Sequence, residues 1–360
     1  MKIEVYSPTI KRKEMDAVLS AMVQDKIGPG GEAKFLIQTA REKLGFDYCL
    51  ALRSPAIALF LFLKSLNMEN GSGVVISALS PLYYSRVIND LGLSPIYCDV
   101  HSSKANISRE TIEKAISNAG GKAKAGCIIL YNTLGYICDI DEIVDFGLPV
   151  LEDCSQSYGT VCKSDDEDGN VISTRESRAA PSQGNGVFAI LGLEERDMLT
   201  SGGGALLFSY NRKDSALLRN LGDLPPEYGL PDMNASMAIV QFKEAAKNIK
   251  KRREIARLYT QSALRTRHKC FVLNENIEYN NFAFPLILQT GMKDVKAYAR
   301  RNDIAVESAF ENSLIGNNIV PPEQCPESYS LSLRTVLFPI HPRLRASEAE
   351  RVAKLIQTLP

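Results

Sequence analysis

The chain has 360 residues, of which 45% are hydrophobic and 23% charged, and its 42 Lys and Arg residues equal its 42 Asp and Glu residues in number. This composition predicts a globular protein with one large and one smaller domain, or with two domains of equal size. The zero net charge does not favour nucleic acid or an anionic membrane as a partner. Because no signal peptide and no membrane-spanning apolar run are recognisable, we expect a cytoplasmic protein.

The cysteines and histidines argue against disulfides and zinc. The eight cysteines include no Cys-x-x-Cys pair, and several stand inside apolar runs, as free thiols in a reducing compartment do. The three histidines, His101, His268 and His341, do not have metal-ligand spacing. We therefore expect free thiols and no metal site.

Strand-like and helical segments alternate along the first two thirds of the chain. Strands are predicted at residues 48–52, 74–78, 95–100, 127–131, 187–191 and 205–208. Helices are predicted between them at residues 56–66, 83–91, 108–118 and 139–144. This alternation indicates an α/β fold with a mostly parallel sheet covered on both faces, forming a large domain over residues 1–245.

The remaining segments differ in character. Residues 163–186 form a polar insertion that we expect to be a long, exposed and mobile loop whose shortening leaves the fold intact. Residues 234–264 read as one long helix or a broken one, with a basic stretch at residues 250–253 that is interpreted as a solvated face. Residues 246–360 alternate strand, helix, strand and helix, which predicts a smaller α+β domain.

Residues 148–159 contain the most informative pattern. Apolar Val150 and Leu151 are followed at once by Glu152 and Asp153, as in a buried parallel strand whose carboxyl end opens on a site. Asp153 either serves such a site or only ends the strand and caps the next turn, and these residues alone leave both interpretations open.

The order and spacing of several motifs resemble the DegT/DnrJ/EryC1/StrS family, sugar aminotransferases that are pyridoxal phosphate enzymes of fold type I. The resemblance covers nearly the whole chain, and its most specific motif is Glu-Asp-Cys-Ser-Gln at residues 152–156, with Tyr158 and Gly159. The other matching segments are Gly28-Pro29 with Phe35 and residues 52–59, 75–78, 95–99, 132–141 and 337–342.

This resemblance implies an aminotransferase-like, three-layer large domain, pyridoxal phosphate as the cofactor, and a homodimer whose pockets lie at the two-fold interface. It places Asp153 under the pyridinium nitrogen, where a negative charge keeps the ring an electron sink. The other pocket positions that it implies are Gln156, Ser54, Ala56, Tyr83 and Asn132.

The resemblance also exposes a missing residue. The family's Schiff-base lysine follows a Phe-Ser-Phe-like strand, matched here by residues 188–190, and precedes a glycine-rich run, matched by residues 202–204. No lysine stands at residues 193–201, and none occurs between Lys163 and Lys213. Because that lysine would supply the amine that holds the cofactor, covalent binding of pyridoxal phosphate is not expected.

Other departures weaken the phosphate site. In the turn Ser54-Pro55-Ala56, the proline has no N–H to donate and the alanine has no hydroxyl. Ala189 stands where the family has a serine. Arg196 can offer its guanidinium to an anion in partial compensation.

Three functions remain open. An active pyridoxal phosphate-dependent sugar aminotransferase of cell-surface polysaccharide biosynthesis keeps the family's chemistry. A non-catalytic member binds a nucleotide sugar or another anion, or joins an active paralogue as a partner subunit. An altered enzyme uses the pocket without the cofactor. The several losses in one pocket favour the non-catalytic member.

Overall fold

The computed structural model describes residues 2–119, 125–165, 171–174 and 186–360. At its centre seven strands form one sheet: β1 (Tyr48–Leu52), β2 (Gly73–Ser77), β3 (Ser94–Cys98), β4 (Ala125–Tyr131), β5 (Val150–Asp153), β8 (Val187–Gly192) and β9 (Ala205–Ser209). Their order across the sheet is β1-β9-β8-β5-β4-β2-β3. Among these seven strands β9 runs antiparallel to its neighbours, so the predicted mostly parallel sheet is confirmed.

Helices cover both faces of this sheet. They are α1 (Arg12–Val23), α2 (Gly31–Leu44), α3 (Pro55–Ser65), α4 (Leu82–Asp90), α5 (Arg109–Asn118), α6 (Ile140–Val144), α7 (Arg212–Arg219) and α8 (Asp232–Ala263). Because side chains alternate along a strand, Phe188 and Ile190 of β8 pack in the core that contains α3, whereas Ala189 and Leu191 pack in the core that contains α2 and α8. Two cores, one on each face, confirm the three-layer architecture.

The long segment predicted at residues 234–264 is one continuous helix, α8. Its first half packs with α2, and its last turns belong to a third core built from the C-terminal part of the chain. The boundary predicted between residues 245 and 246 lies inside this helix and stays a prediction. The interpretation of the basic stretch at residues 250–253 as a solvated face is wrong for Arg252, which is buried and only 5% exposed.

The C-terminal part has its own small sheet. Its strands are β11 (Phe284–Ile287), β12 (Glu307–Ser308) and β13 (Thr335–Phe338), and its helices are α9 (Met292–Arg301), α10 (Pro326–Arg334) and α11 (Ala346–Gln357). β13 lies in the middle and pairs antiparallel with both other strands. β12 and α10 were not predicted from the sequence; β12 is only two residues long, whereas the proline at the first position of α10 is compatible with a helix start.

The polar insertion at residues 163–186 is not a loop throughout. β6 (Val161–Asp165) and β7 (Val171–Thr174) pair antiparallel within it, and β10 (Ile277–Glu278) extends this small sheet. The expectation of a mobile loop otherwise falls on residues 166–170 and 175–185, which lie outside the described residues. Within the described ranges, no helix combines the length and the apolarity that crossing a bilayer requires.

A single buried hydroxyl links α8 to the C-terminal part. The Tyr259 hydroxyl is fully buried and donates to the Pro339 carbonyl oxygen at 2.9 Å. We predict that Tyr259→Phe lowers the free energy of unfolding by about 0.5–1.5 kcal/mol, because the carbonyl loses its donor. Urea denaturation measures this loss. The matched control Tyr298→Phe removes a hydroxyl at an exposed contact with Thr358 and should change stability by less; equal losses would contradict the prediction.

Candidate functional site

Asp153 lies at the carboxyl end of β5 and is almost fully buried, with 1% of its surface exposed. Its Oδ2 accepts a hydrogen bond from the Tyr84 hydroxyl at 2.5 Å. Its Oδ1 accepts two more, from the backbone N–H and the hydroxyl of Ser155, at 3.0 and 2.5 Å. Both carboxylate oxygens are therefore already bound by the protein's own donors.

Three tyrosines surround this carboxylate. α4 begins at Leu82 and brings in Tyr83 and Tyr84, whose ring centroids are 4.9 Å apart, and Tyr131 at the end of β4 lies 6.0 Å from Tyr84. Burial raises the pKa of all three hydroxyls, and the charge of Asp153 raises it further. Burial also raises the pKa of Asp153, although the hydrogen bonds from Ser155 and Tyr84 oppose that change. The tyrosines thus stay protonated and act as hydrogen-bond donors.

The segment that the resemblance assigns to the lysine brings an acid to this place instead. In the loop after β8, Asp197 Oδ2 accepts from the Glu194 backbone N–H at 2.8 Å. A Cβ at Gly192 would collide with this carboxylate and with Ser155 Oγ, so Asp197 and Ser155 meet above a residue that has to be glycine. Burial raises the pKa of Asp197 to about 7, and the charges of Asp153 and Glu194 add to the effect.

Two positions that the sequence analysis assigned to the pocket are buried in the protein interior. Asn132 is fully buried; its Nδ2 donates to Glu152 Oε1 at 2.7 Å and to Ser157 Oγ at 3.0 Å, and its Oδ1 accepts from the Cys138 N–H. Ala189, considered as a lost hydroxyl of the pocket, packs in the core with α2 and α8. The Asn132 side chain joins the loop after β4 to the end of β5 and to the turn that follows it, and the Ala189 side chain fills part of the core.

The turn at residues 54–56, which the resemblance assigns to phosphate binding, forms the start of a helix. Ser54 is the N-cap of α3, and its hydroxyl oxygen accepts from the Ile57 N–H at 3.3 Å, with Pro55 at the first helical position. This is the helix start that serine followed by proline predicts. Ala56 adds no polar group.

Gln156 is the predicted residue that lines an open cleft. Its Oε1 accepts from the Leu134 N–H at 2.7 Å. The cleft has a volume of about 230 Å³ and lies between the end of the large sheet and the C-terminal strands. Its wall is apolar around Leu79, Phe282 and Phe338, and its polar lining includes Tyr6, Gln156, Arg196, Arg252, Glu307 and Ser308.

Sequence reasoning missed Tyr6, Arg252 and Glu307, which come from three distant segments. Arg196, proposed from the sequence as an anion-binding residue, does face the cleft. It forms a forked ion pair with Glu307 at 2.7 and 3.5 Å, and its guanidinium lies 5.5 Å from the centre of the Tyr6 ring. In the part of the chain that the structure describes, no group of three or more His, Cys, Asp or Glu side chains could hold a metal ion.

The raised pKa of Asp197 makes stability depend on pH. In the folded protein the pKa of Asp197 is about 7, above its ordinary value of 3.8. The protonated carboxyl therefore contributes in full to the stability of the folded state below pH 3.8, and this contribution is lost as the pH rises through about 7. We predict that Asp197→Asn, which stays neutral and keeps an acceptor for the Glu194 N–H, gains stability over the native chain between pH 5 and pH 8. The expected gain is on the order of 1 kcal/mol or more.

Urea denaturation at the two pH values measures this difference. The control Asp223→Asn changes an exposed aspartate in a turn and should show no such pH dependence. An Asp197→Asn variant whose stability tracks that of the native chain at both pH values would show that this carboxylate is not destabilised by burial.

Comparison with known proteins identifies the relatives of this chain. The model of the DegT/DnrJ/EryC1/StrS aminotransferase family matches residues 8–175 and 211–357. The matched ranges leave out residues 176–210, and this gap contains the loop with Asp197.

Two curated relatives are nucleotide-sugar enzymes. The dTDP-4-dehydro-2,3,6-trideoxy-D-glucose 4-aminotransferase of Saccharopolyspora spinosa is 23% identical over 99% of this chain and 96% of its own length. The GDP-perosamine synthase of Escherichia coli O157:H7 is 30% identical over 45% of this chain and 44% of its own length.

Solved structures of low sequence identity share the fold. The PLP form of Spr1654 from Streptococcus pneumoniae has a TM-score of 0.83 and 16% identity, and the match covers 99% of this chain and 98% of that one. The sugar aminotransferase CalS13 from Micromonospora echinospora has a TM-score of 0.79, 16% identity and 99% coverage of both chains. The family and these neighbours imply pyridoxal phosphate binding, and the chain is related to nucleotide-sugar aminotransferases. Since the family model matches most of its length, the chain belongs to the DegT/DnrJ/EryC1/StrS aminotransferase family.

Proposed function

We propose that this protein is a ligand-binding member of its family that does not catalyse transamination. One observation carries this proposal: the loop after β8, which the resemblance assigns to the Schiff-base lysine, contains no lysine and holds the carboxylate of Asp197 near Asp153, which already accepts a hydrogen bond from the Tyr84 hydroxyl. An aspartate cannot form an imine with an aldehyde, and a second acid beside Asp153 does not replace the proton-shuttling amine.

The residues present do not fit pyridoxal phosphate. A ring nitrogen would compete with Tyr84 for Asp153 Oδ2, and the Tyr84 bond is a buried hydrogen bond to a charged group that is worth about 1.5–3 kcal/mol. At the phosphate end, the Ser54 hydroxyl already caps α3, Pro55 has no N–H, and Ala56 has no side-chain donor. These contacts support the absence of a covalently held cofactor.

The cleft beside this site supports a binding role. It is open, combines apolar walls with a few polar groups, and has a volume that suits a small molecule. The names of the relatives favour a nucleotide sugar as the ligand and an active aminotransferase as the competing function. An enzyme with altered chemistry in the same cleft is the third function, and a test for covalent cofactor separates the active aminotransferase from the other two.

We predict that incubation with pyridoxal phosphate followed by borohydride leaves the intact mass of the protein unchanged apart from substoichiometric surface labelling. The physical reason is the lack of an amine in the loop at residues 193–201. Mass spectrometry measures the adduct, and a family member that keeps its lysine serves as the positive control. A stoichiometric adduct on one lysine would overturn the proposed function, because a lysine from elsewhere would then reach the site.

We further propose that the protein is a homodimer. α1 exposes an apolar face at helical spacing, Met15, Leu19, Met22 and Val23, each more than half exposed, and Ile27 continues it. Contiguous exposed apolar side chains of this kind mark contact surfaces, and a closed two-fold pair is the commonest soluble assembly. Mixing with an active paralogue remains the alternative use of such a face.

Light scattering at micromolar concentration should therefore give twice the chain mass. Leu19→Glu should shift the protein towards the monomer, because it places a charge in the interface. The control Leu264→Glu changes an apolar residue that is 81% exposed at the end of α8 and should leave the dimer intact. A native chain that stays monomeric would refute the homodimer.

We also propose the cytoplasm as the site of action. None of the eight cysteines forms a disulfide, and six of them are buried. Thiols in this state suit a reducing compartment.

A further inference from the structure

Arg252 is a buried cation without an ionic partner. It lies on α8, is 5% exposed, and lines the cleft. Its Nη1 donates to the carbonyl oxygens of Phe282 and Ile340 at 2.9 and 2.5 Å, but within the described chain its guanidinium forms no ion pair with a carboxylate. Burial lowers its pKa to about 10, which still leaves the group charged at neutral pH. Burying a charge without a counter-charge is energetically unfavourable. Because Arg252 lines the cleft, an anion that enters the cleft can supply this counter-charge.

A second cation faces the same cleft. Arg196 lies next to Tyr6, with its guanidinium 5.5 Å from the ring centre, and the charge of Arg252 also acts on the Tyr6 hydroxyl. Tyr6 therefore brings the two arginines into one region and adds a hydroxyl donor. Burial raises the pKa of Tyr6 to about 12, so this hydroxyl is protonated and can donate to an anion.

Glu307 is the ionic partner of Arg196 in this structure. Its two carboxylate oxygens contact Nη1 and Nη2 of Arg196, the forked geometry that a carboxylate or phosphate of a ligand also adopts. Both side chains are partly exposed, so this ion pair is weak and can be exchanged for a ligand. The other acidic group of the lining, Glu311, is exposed at the rim.

We propose that the cleft binds the phosphate or carboxylate group of a small molecule between Arg252, Arg196 and the Tyr6 hydroxyl, and that this group displaces Glu307 from Arg196. The apolar wall formed by Leu79, Phe282 and Phe338 holds the uncharged part of the molecule. This inference rests on the proposed function in naming the ligand class of the same cleft. It assigns recognition to residues that lie apart from the Asp153 carboxylate.

The test uses the full-length protein and two probes, inorganic phosphate and succinate, titrated by calorimetry at constant ionic strength. The native chain should bind one or both saturably. Glu307→Gln frees Arg196 and removes a negative charge, so it should tighten binding about tenfold. Arg196→Gln should weaken binding by about tenfold or more. Both changes affect partly exposed side chains, and the folded state should survive them.

Two matched variants control for general charge effects. Glu113→Gln breaks an exposed ion pair with Arg109 on α5, and Arg12→Gln removes an exposed arginine of α1. Neither should change the affinity. Arg252→Gln should abolish binding, and if it does not fold because two carbonyls lose their donor, the Glu307 and Arg196 variants decide the result.

Absence of saturable binding in both the native chain and Glu307→Gln would overturn the inference. So would an affinity that does not respond to Glu307→Gln and Arg196→Gln, since the anion would then lie elsewhere. A pyridoxal phosphate adduct would overturn the proposed function but not this inference, because the response to these two variants locates the anion independently.

Discussion

The buried carboxylate of Asp153 sets conditions that the rest of the site has to meet. A charge at the end of a parallel strand, shielded from water, is tolerated only where donors surround it. In this chain those donors are internal: Tyr84 from the start of α4 and Ser155 from the turn after β5. Gly192 leaves room for Ser155 and Asp197 to meet. Donors of the protein itself therefore reach both oxygens of this carboxylate.

Much of the fold was predictable because local patterns determine it. The alternation of strands and helices, the end of β5 at Asp153, and the capped start of α3 at Ser54 all follow from short stretches of sequence. The details of the site were less predictable. Tyr83 was expected in the pocket, and it lies beside Asp153 together with Tyr84, whose hydroxyl donates to Oδ2. Adjacent residues of a helix point about 100° apart, so the position of α4 on the sheet, which no local pattern gives, decides how each of them meets Asp153.

Local sequence patterns could not predict the cleft. Tyr6, Arg196, Arg252 and Glu307 are separated by tens to hundreds of residues, and no spacing links them. Arg252 also stands in a basic stretch whose composition indicates a solvated face, and its neighbours Lys250 and Lys251 follow that pattern more closely. A helix that crosses from one core to another buries some polar positions, and this is decided by tertiary packing, not by charge pattern.

The two buried charges of this region are treated in opposite ways, and that contrast indicates how a family member can lose one role and keep another. Asp153 has its oxygens bound by the protein, whereas Arg252 has only two carbonyls and faces open space. Since recognition of an anion requires only positioned cations and a hydroxyl, it can persist where the amine needed for covalent chemistry is gone. The proposed binding of an anion therefore does not depend on the missing lysine.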